Sequence, residues 1–234
     1  MVNAMDFVDD CIADLEAKLD LKPGESLATA GVPQKTKKET KKPGNNNQNS
    51  NKKQPQPKTT KNEDQPNICK LEFKVGQITK VWVHPTADKL YCEEIDIGEE
   101  APRQIASGLR PHFTEEQMLG QRLLVVSNLK AKNLVGFRSN GMVLCAAQSK
   151  EDGSEEVQFV EPPADAPIGE VVTFEGLPPP EPWSGAQVEK KKVFAACVEG
   201  MKTTEDCKGA WNGHLFMTSA GPCSTKSIAG GVMR

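Results

Sequence analysis

Three histidines, His84, His112 and His214, and seven cysteines are the side chains in this chain best suited to acid–base, nucleophilic or metal chemistry. The histidines lie far apart and none accompanies a matching Ser or Cys motif, so no nucleophile–base arrangement is legible. The cysteines (11, 69, 92, 145, 197, 207, 223) are odd in number, scattered, and contain no Cys-x-x-Cys pair, which argues against both a zinc site and a disulfide framework. Most sit in apolar runs such as Val143-Leu144-Cys145-Ala146, the setting of a buried free thiol in a reducing compartment, here the cytosol. Glycine patterns of the dinucleotide or P-loop kind are absent. The expectation is a protein with no catalytic residues, no metal and no cofactor.

Binding chemistry has more material. Four short blocks gather amides, hydroxyls and cations beside glycines, where a ligand can approach the backbone closely. They are His84-Pro85-Thr86-Ala87-Asp88-Lys89-Leu90-Tyr91, Ala106 to Arg110, Val126 to Lys132, and Gly136 to Leu144. In the first, Pro85 and Asp88 supply a turn, and Lys89 opens the following strand, where it can face an acidic ligand. Lys130 and Lys132 are two apart, so on a strand they share one side. An ordinary solvated edge fits that pair as well. Aromatics make up 5% of the chain. Base stacking is therefore expected to be a small term and backbone shape a larger one, and Trp82, Tyr91 and Phe137, the aromatics near these blocks, fit a core better than a stacking platform.

The elements that must position these blocks follow from patterning. Beyond residue 67 short apolar or alternating runs are broken by Gly, Pro and Asn, which predicts an all-β fold with strands over 70–83, 89–97, 103–107, 121–128, 141–147, 156–161 and 169–174. One helix is expected over 113–119, with Thr114 as N-cap and Gly120 beyond its end. Residues 67–175 thus have the size of one OB-like barrel. Prolines at 178, 179, 180 and 182 mark a junction to a small β-rich subdomain, 176–234. Strands are expected there over 193–198 and 214–219 and a turn or helix start at 203–206; too small to fold alone, this unit should dock on the barrel. Residues 1–21 space Phe7, Val8, Cys11, Ile12, Leu15 and Leu19 at helical steps, predicting a short amphipathic helix. Residues 22–66 hold little to bury and read as a disordered Lys/Asn/Pro-rich linker.

Charge is segregated. The chain carries 29 Lys plus Arg against 32 Asp plus Glu, a net −3, yet residues 33–66 hold nine Lys and three acids while 1–21 hold six acids and one Lys. No apolar run reaches the length of a membrane span, and the acidic N-terminus lacks the basic start of an export signal. The Lys-rich segment is either a solvated spacer or a loose phosphate-binding arm; lysine without arginine suits the latter only as sequence-independent contact.

The blocks Phe73-Lys74-Val75-Gly76-Gln77-Ile78, His84 to Tyr91, Ser107-Gly108-Leu109, Asn128-Leu129-Lys130 and Ser139-Asn140-Gly141-Met142 occur in an order and spacing that resembles the tRNA-binding domain of endothelial monocyte-activating polypeptide, yeast Arc1p and the C-termini of some methionyl- and tyrosyl-tRNA synthetases. The resemblance covers 68–175 strongly, and 176–234 resembles the extra C-terminal subdomain of the eukaryotic members. It implies an OB-fold barrel that binds tRNA with little sequence preference, and a tail that mimics a dimer interface and leaves the chain monomeric. The RNA face carries over onto Lys89, Asn128, Lys130, Lys132, Arg138, Ser139 and Met142. Relatives carry a basic extension, which here matches the arm with Lys35, Lys37, Lys38, Lys41, Lys42, Lys52 and Lys53 as non-specific RNA contacts. The implied role is a non-catalytic cytoplasmic module, free-standing or appended, with tRNA and an aminoacyl-tRNA synthetase such as methionyl-tRNA synthetase as partners. A protein-interaction adaptor working through residues 1–21 is the alternative, and a cytokine-like polypeptide released by cleavage is a third.

Overall fold

The structure is a computed structural model that describes residues 64–234. The expected helix 1–21, the linker and its lysines lie outside the described residues. A short 3-10 helix, Asn67–Lys70, precedes a long strand β1 (Phe73–Val83), so the strand begins three residues later than the sequence pattern implies. Strands β2 (Tyr91–Asp96), β3 (Arg103–Ser107), β4 (Arg122–Val126) and β7 (Met142–Val143) join β1 in a five-stranded sheet ordered β3-β2-β1-β4-β7. Both faces of this sheet meet apolar groups: Phe73 and Val75 of β1 pack in one cluster, while Ile78 of β1 joins Tyr91 and Ile95 of β2 in another, all at most 4% exposed. The β1–β2 register slips between Ile78 and Lys80, a bulge that bends β1. Helix α1 (Glu115–Met118) carries a complete capping box: Gln117 N–H donates to Thr114 Oγ1 and Thr114 N–H donates to Gln117 Oε1 at 2.9 Å. Gly120, at φ 79°, follows it.

A hairpin, β5 (Lys132–Leu134) with β6 (Phe137–Ser139), stands between β4 and β7. At Leu144 the chain passes from the first sheet into a second: its N–H donates to Leu124 O and its carbonyl accepts from Val160 N–H. Strands β8 (Cys145–Ser149) and β9 (Glu155–Phe159) begin that second sheet, and β10 (Thr173–Phe174) ends it. The rest comes from the C-terminal region: β11 (Met201–Thr203), β12 (Gly209–Trp211), β13 (His214–Thr218), β14 (Gly221–Pro222) and β15 (Val232–Met233). The order β10-β13-β12-β11-β15-β8-β9 inserts β15 between β8 and β11 and pairs β10 with β13. One sheet therefore crosses residue 175 in two places.

The core follows the same path. Phe73, Phe174 and Phe216 meet edge to face at 5.0–6.0 Å, joining β1, β10 and β13. Trp183, Val188, Val193, Cys197 and Met201 complete this cluster from the C-terminal side. The expected strand over 193–198 is instead a helix, α3 (Val193–Val198), preceded by α2 (Gly185–Lys190). Val193 and Cys197, four apart, are buried and Phe194 and Val198 half-buried, so the apolar run Val-Phe-Ala-Ala-Cys-Val buries a helical stripe rather than alternate residues. Strand β13 and the turn after Thr203 lie where the pattern puts them.

Candidate nucleic-acid interface

Hairpin β5–β6 turns on Val135 and Gly136, both at positive φ (51° and 89°), the geometry of the two-residue turn that matches strand twist. Val135 is a β-branched residue in the left-handed region and 47% exposed. Buried Ser139 ties the hairpin to β3: its Oγ accepts from Ala106 N–H at 3.0 Å and donates to Gly141 O at 3.1 Å. Phe137 lies edge-on to Trp82, with centroids 6.0 Å apart, and to His84 at 6.5 Å. Lys80 Nζ stands 4.9 Å above the Trp82 ring. Lys80, Lys132 and Arg138 are exposed on strands that meet at this aromatic group, and exposed Lys89 lies in the turn between β1 and β2 that begins at His84.

Beside the hairpin runs an open groove of about 480 Å³ lined by Glu99, Arg103, Gln104, Ser127, Leu129 and Asn140 among others. The Arg103 guanidinium spans it: Nε donates to Glu99 Oε2 at 3.0 Å, while Nη1 donates to the carbonyls of Ser127 and Asn140, at 3.2 Å for the latter. Lys74 Nζ lies 3.8 Å from the same Glu99 carboxylate. Two cations thus face one anion at the groove wall, and Arg103 fixes the two loops rather than standing open to a ligand.

The residues implicated by sequence divide sharply. Lys132 and Arg138 are both exposed but lie on opposite faces of the hairpin, Lys132 opposite Ser139 and Arg138 opposite Asn133. Lys89 is exposed but sits in a turn; β2 begins two residues later. Lys130 does not share a strand with Lys132: it occupies the bend before β5, where Nζ is 2.7 Å from Glu189 Oε2. Asn128 has its amide turned inward. Nδ2 donates to Lys70 O and Trp183 O, each at 2.9 Å, and Oδ1 accepts from Glu72 N–H at 2.9 Å. Met142 is half-buried against the core. The sequence reading missed Lys80 and Arg103; the alternation of Lys80 with Trp82 on one face of β1 was the signal available for the first. Tyr91 is core, its hydroxyl donating to Phe113 O at 3.0 Å.

Ionisable groups inside the barrel are quiet. Burial pushes the Glu93 carboxyl up to about 8 against a smaller lowering by the Ser107 hydroxyl, which donates to Oε1; Oε2 has no hydrogen-bond partner. Burial also pushes the thiols of Cys197 and Cys223 up to about 12, which keeps them protonated and unreactive at neutral pH.

Comparison with known proteins gives a consistent picture. The family model described as "Putative tRNA binding domain" matches residues 73–171. The chain is 38% identical over 182 residues to the cytoplasmic tyrosine–tRNA ligase of Gallus gallus, covering 77% of this chain and 34% of that protein. It is 38% identical over 224 residues to a probable methionine–tRNA ligase of Oryza sativa subsp. japonica, covering 95% of this chain and 26% of that protein. The chain therefore spans about a third or less of the length of these curated relatives. Among solved structures, the C-terminal domain of Plasmodium vivax p43 superposes with a TM-score of 0.63 at 30% identity, covering 71% of this chain and 98% of that one.

Proposed function

Because the chain belongs to the tRNA-binding domain family, we propose that it is a non-catalytic tRNA-binding module that serves an aminoacyl-tRNA synthetase, either beside it or joined to it. The observation that carries this reading is the Trp82–Phe137 pair, with Lys80 over the Trp82 ring, exposed Lys132 and Arg138 on the hairpin that bears Phe137, and Lys89 in the adjoining turn. Cations of this kind neutralise phosphates without reading bases, and a half-exposed aromatic pair offers one flat face to an unstacked base. Asn128, Ser139 and Met142 act beneath the surface, holding the loops that carry the cations. The Lys35 to Lys53 arm adds loose phosphate contacts. Methionyl-tRNA synthetase is the proposed partner and the cytoplasm the proposed place of action, as the relatives' names support. A monomer is expected, since β15 and the shared core occupy the side of the barrel that a second copy could otherwise cover.

Photocrosslinking with thiouridine-substituted bulk tRNA tests the face directly. Crosslinks should map to peptides containing residues 80–89 and 132–138; crosslinks confined to the region before residue 64 would sink the barrel-face assignment.

A further inference from the structure

Three consecutive lysines, Lys190, Lys191 and Lys192, are exposed at the junction of α2 and α3, and no residue of the proposed interface accounts for them. They are held outward by their neighbours: Val188 before them and Val193 after them are each 2% exposed. Lys192 is in the left-handed region, at φ 50°, where an L side chain is strained and glycine is favoured. A cation therefore occupies a position whose backbone favours glycine. The cluster is also continuous with the tRNA face. A Cβ on Gly185 would stand 2.9 Å from Lys130 N, so α2 presses against the loop that carries Lys130, and Glu189 holds the Lys130 ammonium at 2.7 Å.

We propose that Lys190, Lys191 and Lys192 form a second phosphate-contact surface, in the C-terminal subdomain, which extends the barrel face so that one tRNA backbone is gripped by both regions, with Glu189 restraining Lys130 between them. This rests on the tRNA-binding reading above. The chemistry is that of a sequence-independent polyanion contact. Ammonium groups clustered on one short segment release counterions from a phosphodiester backbone, and three such contacts steepen the salt dependence of binding. Glu189 sets the local balance: while it pairs with Lys130, one cation is withheld from the backbone.

The test is a filter-binding titration of bulk tRNA with the full chain across a range of salt concentrations, for the wild type, K190A/K191A/K192A, K192G and E189Q. The triple variant should bind at least about tenfold more weakly near 0.1 M salt, with the log–log salt slope shallower by about two to three. K192G should melt at the same or a higher temperature than wild type, because strain is relieved, yet bind several-fold more weakly. E189Q should bind more tightly. Wild-type binding with an unchanged slope in the triple variant overturns this inference and leaves the tRNA-binding reading intact. Loss of binding in K192G that merely tracks a lower melting temperature overturns it too. No wild-type binding at any salt overturns both.

Discussion

Glu93 lies between Tyr91 and Ile95 on the inward face of β2, fully buried, with only the Ser107 hydroxyl for company. In the folded chain its proton stays on until about pH 8, whereas an exposed glutamate releases it near 4.5. Between those values folding takes up a proton, so Glu93 makes stability fall as pH rises, by about 1.4 kcal/mol per pH unit, until both states are ionised above about pH 8. Glu93→Gln should remove this slope and be the more stable variant at pH 8 in urea melts at several pH values; parallel curves for variant and wild type would refute it. Asn128 is a different kind of residue. Its motif pointed toward RNA, but its amide bridges the 3-10 helix, the loop before β5 and the segment leading to α2. Asn128→Ala strands two backbone groups, Glu72 N–H and Trp183 O, while Lys70 O keeps the bond it accepts from Trp183 N–H, at about 1–3 kcal/mol for each stranded group before water re-enters. Urea denaturation should show a loss of about 2 kcal/mol or more, with any loss of RNA affinity following from it.

Hairpin β5–β6 shows how much an element reveals of itself in sequence. Its cations, Lys132 and Arg138, were readable because the Asn128 to Met142 blocks resemble those of a known family. Its turn was not, since Val135-Gly136 replaces the Asn-Gly that normally announces such a turn. Val135→Asn should relieve the left-handed strain and raise stability by about 0.5–1 kcal/mol in thermal melts, leaving the fold unchanged. The barrel strands were legible as short apolar runs broken by Gly, Pro and Asn rather than by alternation, since strands such as β4, with Leu123 to Val126 all buried, are covered on both faces. The run 193–198 was not: six apolar residues carry no period until a neighbour is known, and here the neighbours accept a stripe four residues apart. Spacing alone also suggested that Lys130 and Lys132 share a face, but the bend that places Lys130 against Glu189 is set by a residue almost sixty positions away, which no local pattern encodes.

At the scale of the molecule, the described chain is one barrel completed by its own tail. Strand β15 is built into the second sheet, and Phe216 meets Phe73 edge to face in the shared core. The sequence suggested docking from size alone; the physical reason is that neither side of residue 175 can bury Phe73, Phe174 or Trp183 without the other. A chain ending at residue 175 should therefore lose cooperative unfolding, bind a hydrophobic dye and self-associate, as read by thermal melts and gel filtration. A soluble, cooperatively melting monomer would show that the two regions are independent. The central claim, that the barrel face grips tRNA through Lys132 and Arg138, is tested most directly by titrating bulk tRNA against the full chain and its K132A/R138A variant over several salt concentrations. The variant should keep its melting temperature, bind several-fold more weakly and show a salt slope shallower by one to two, as about one phosphate contact per cation requires. Identical affinity and slope in the two proteins would contradict it.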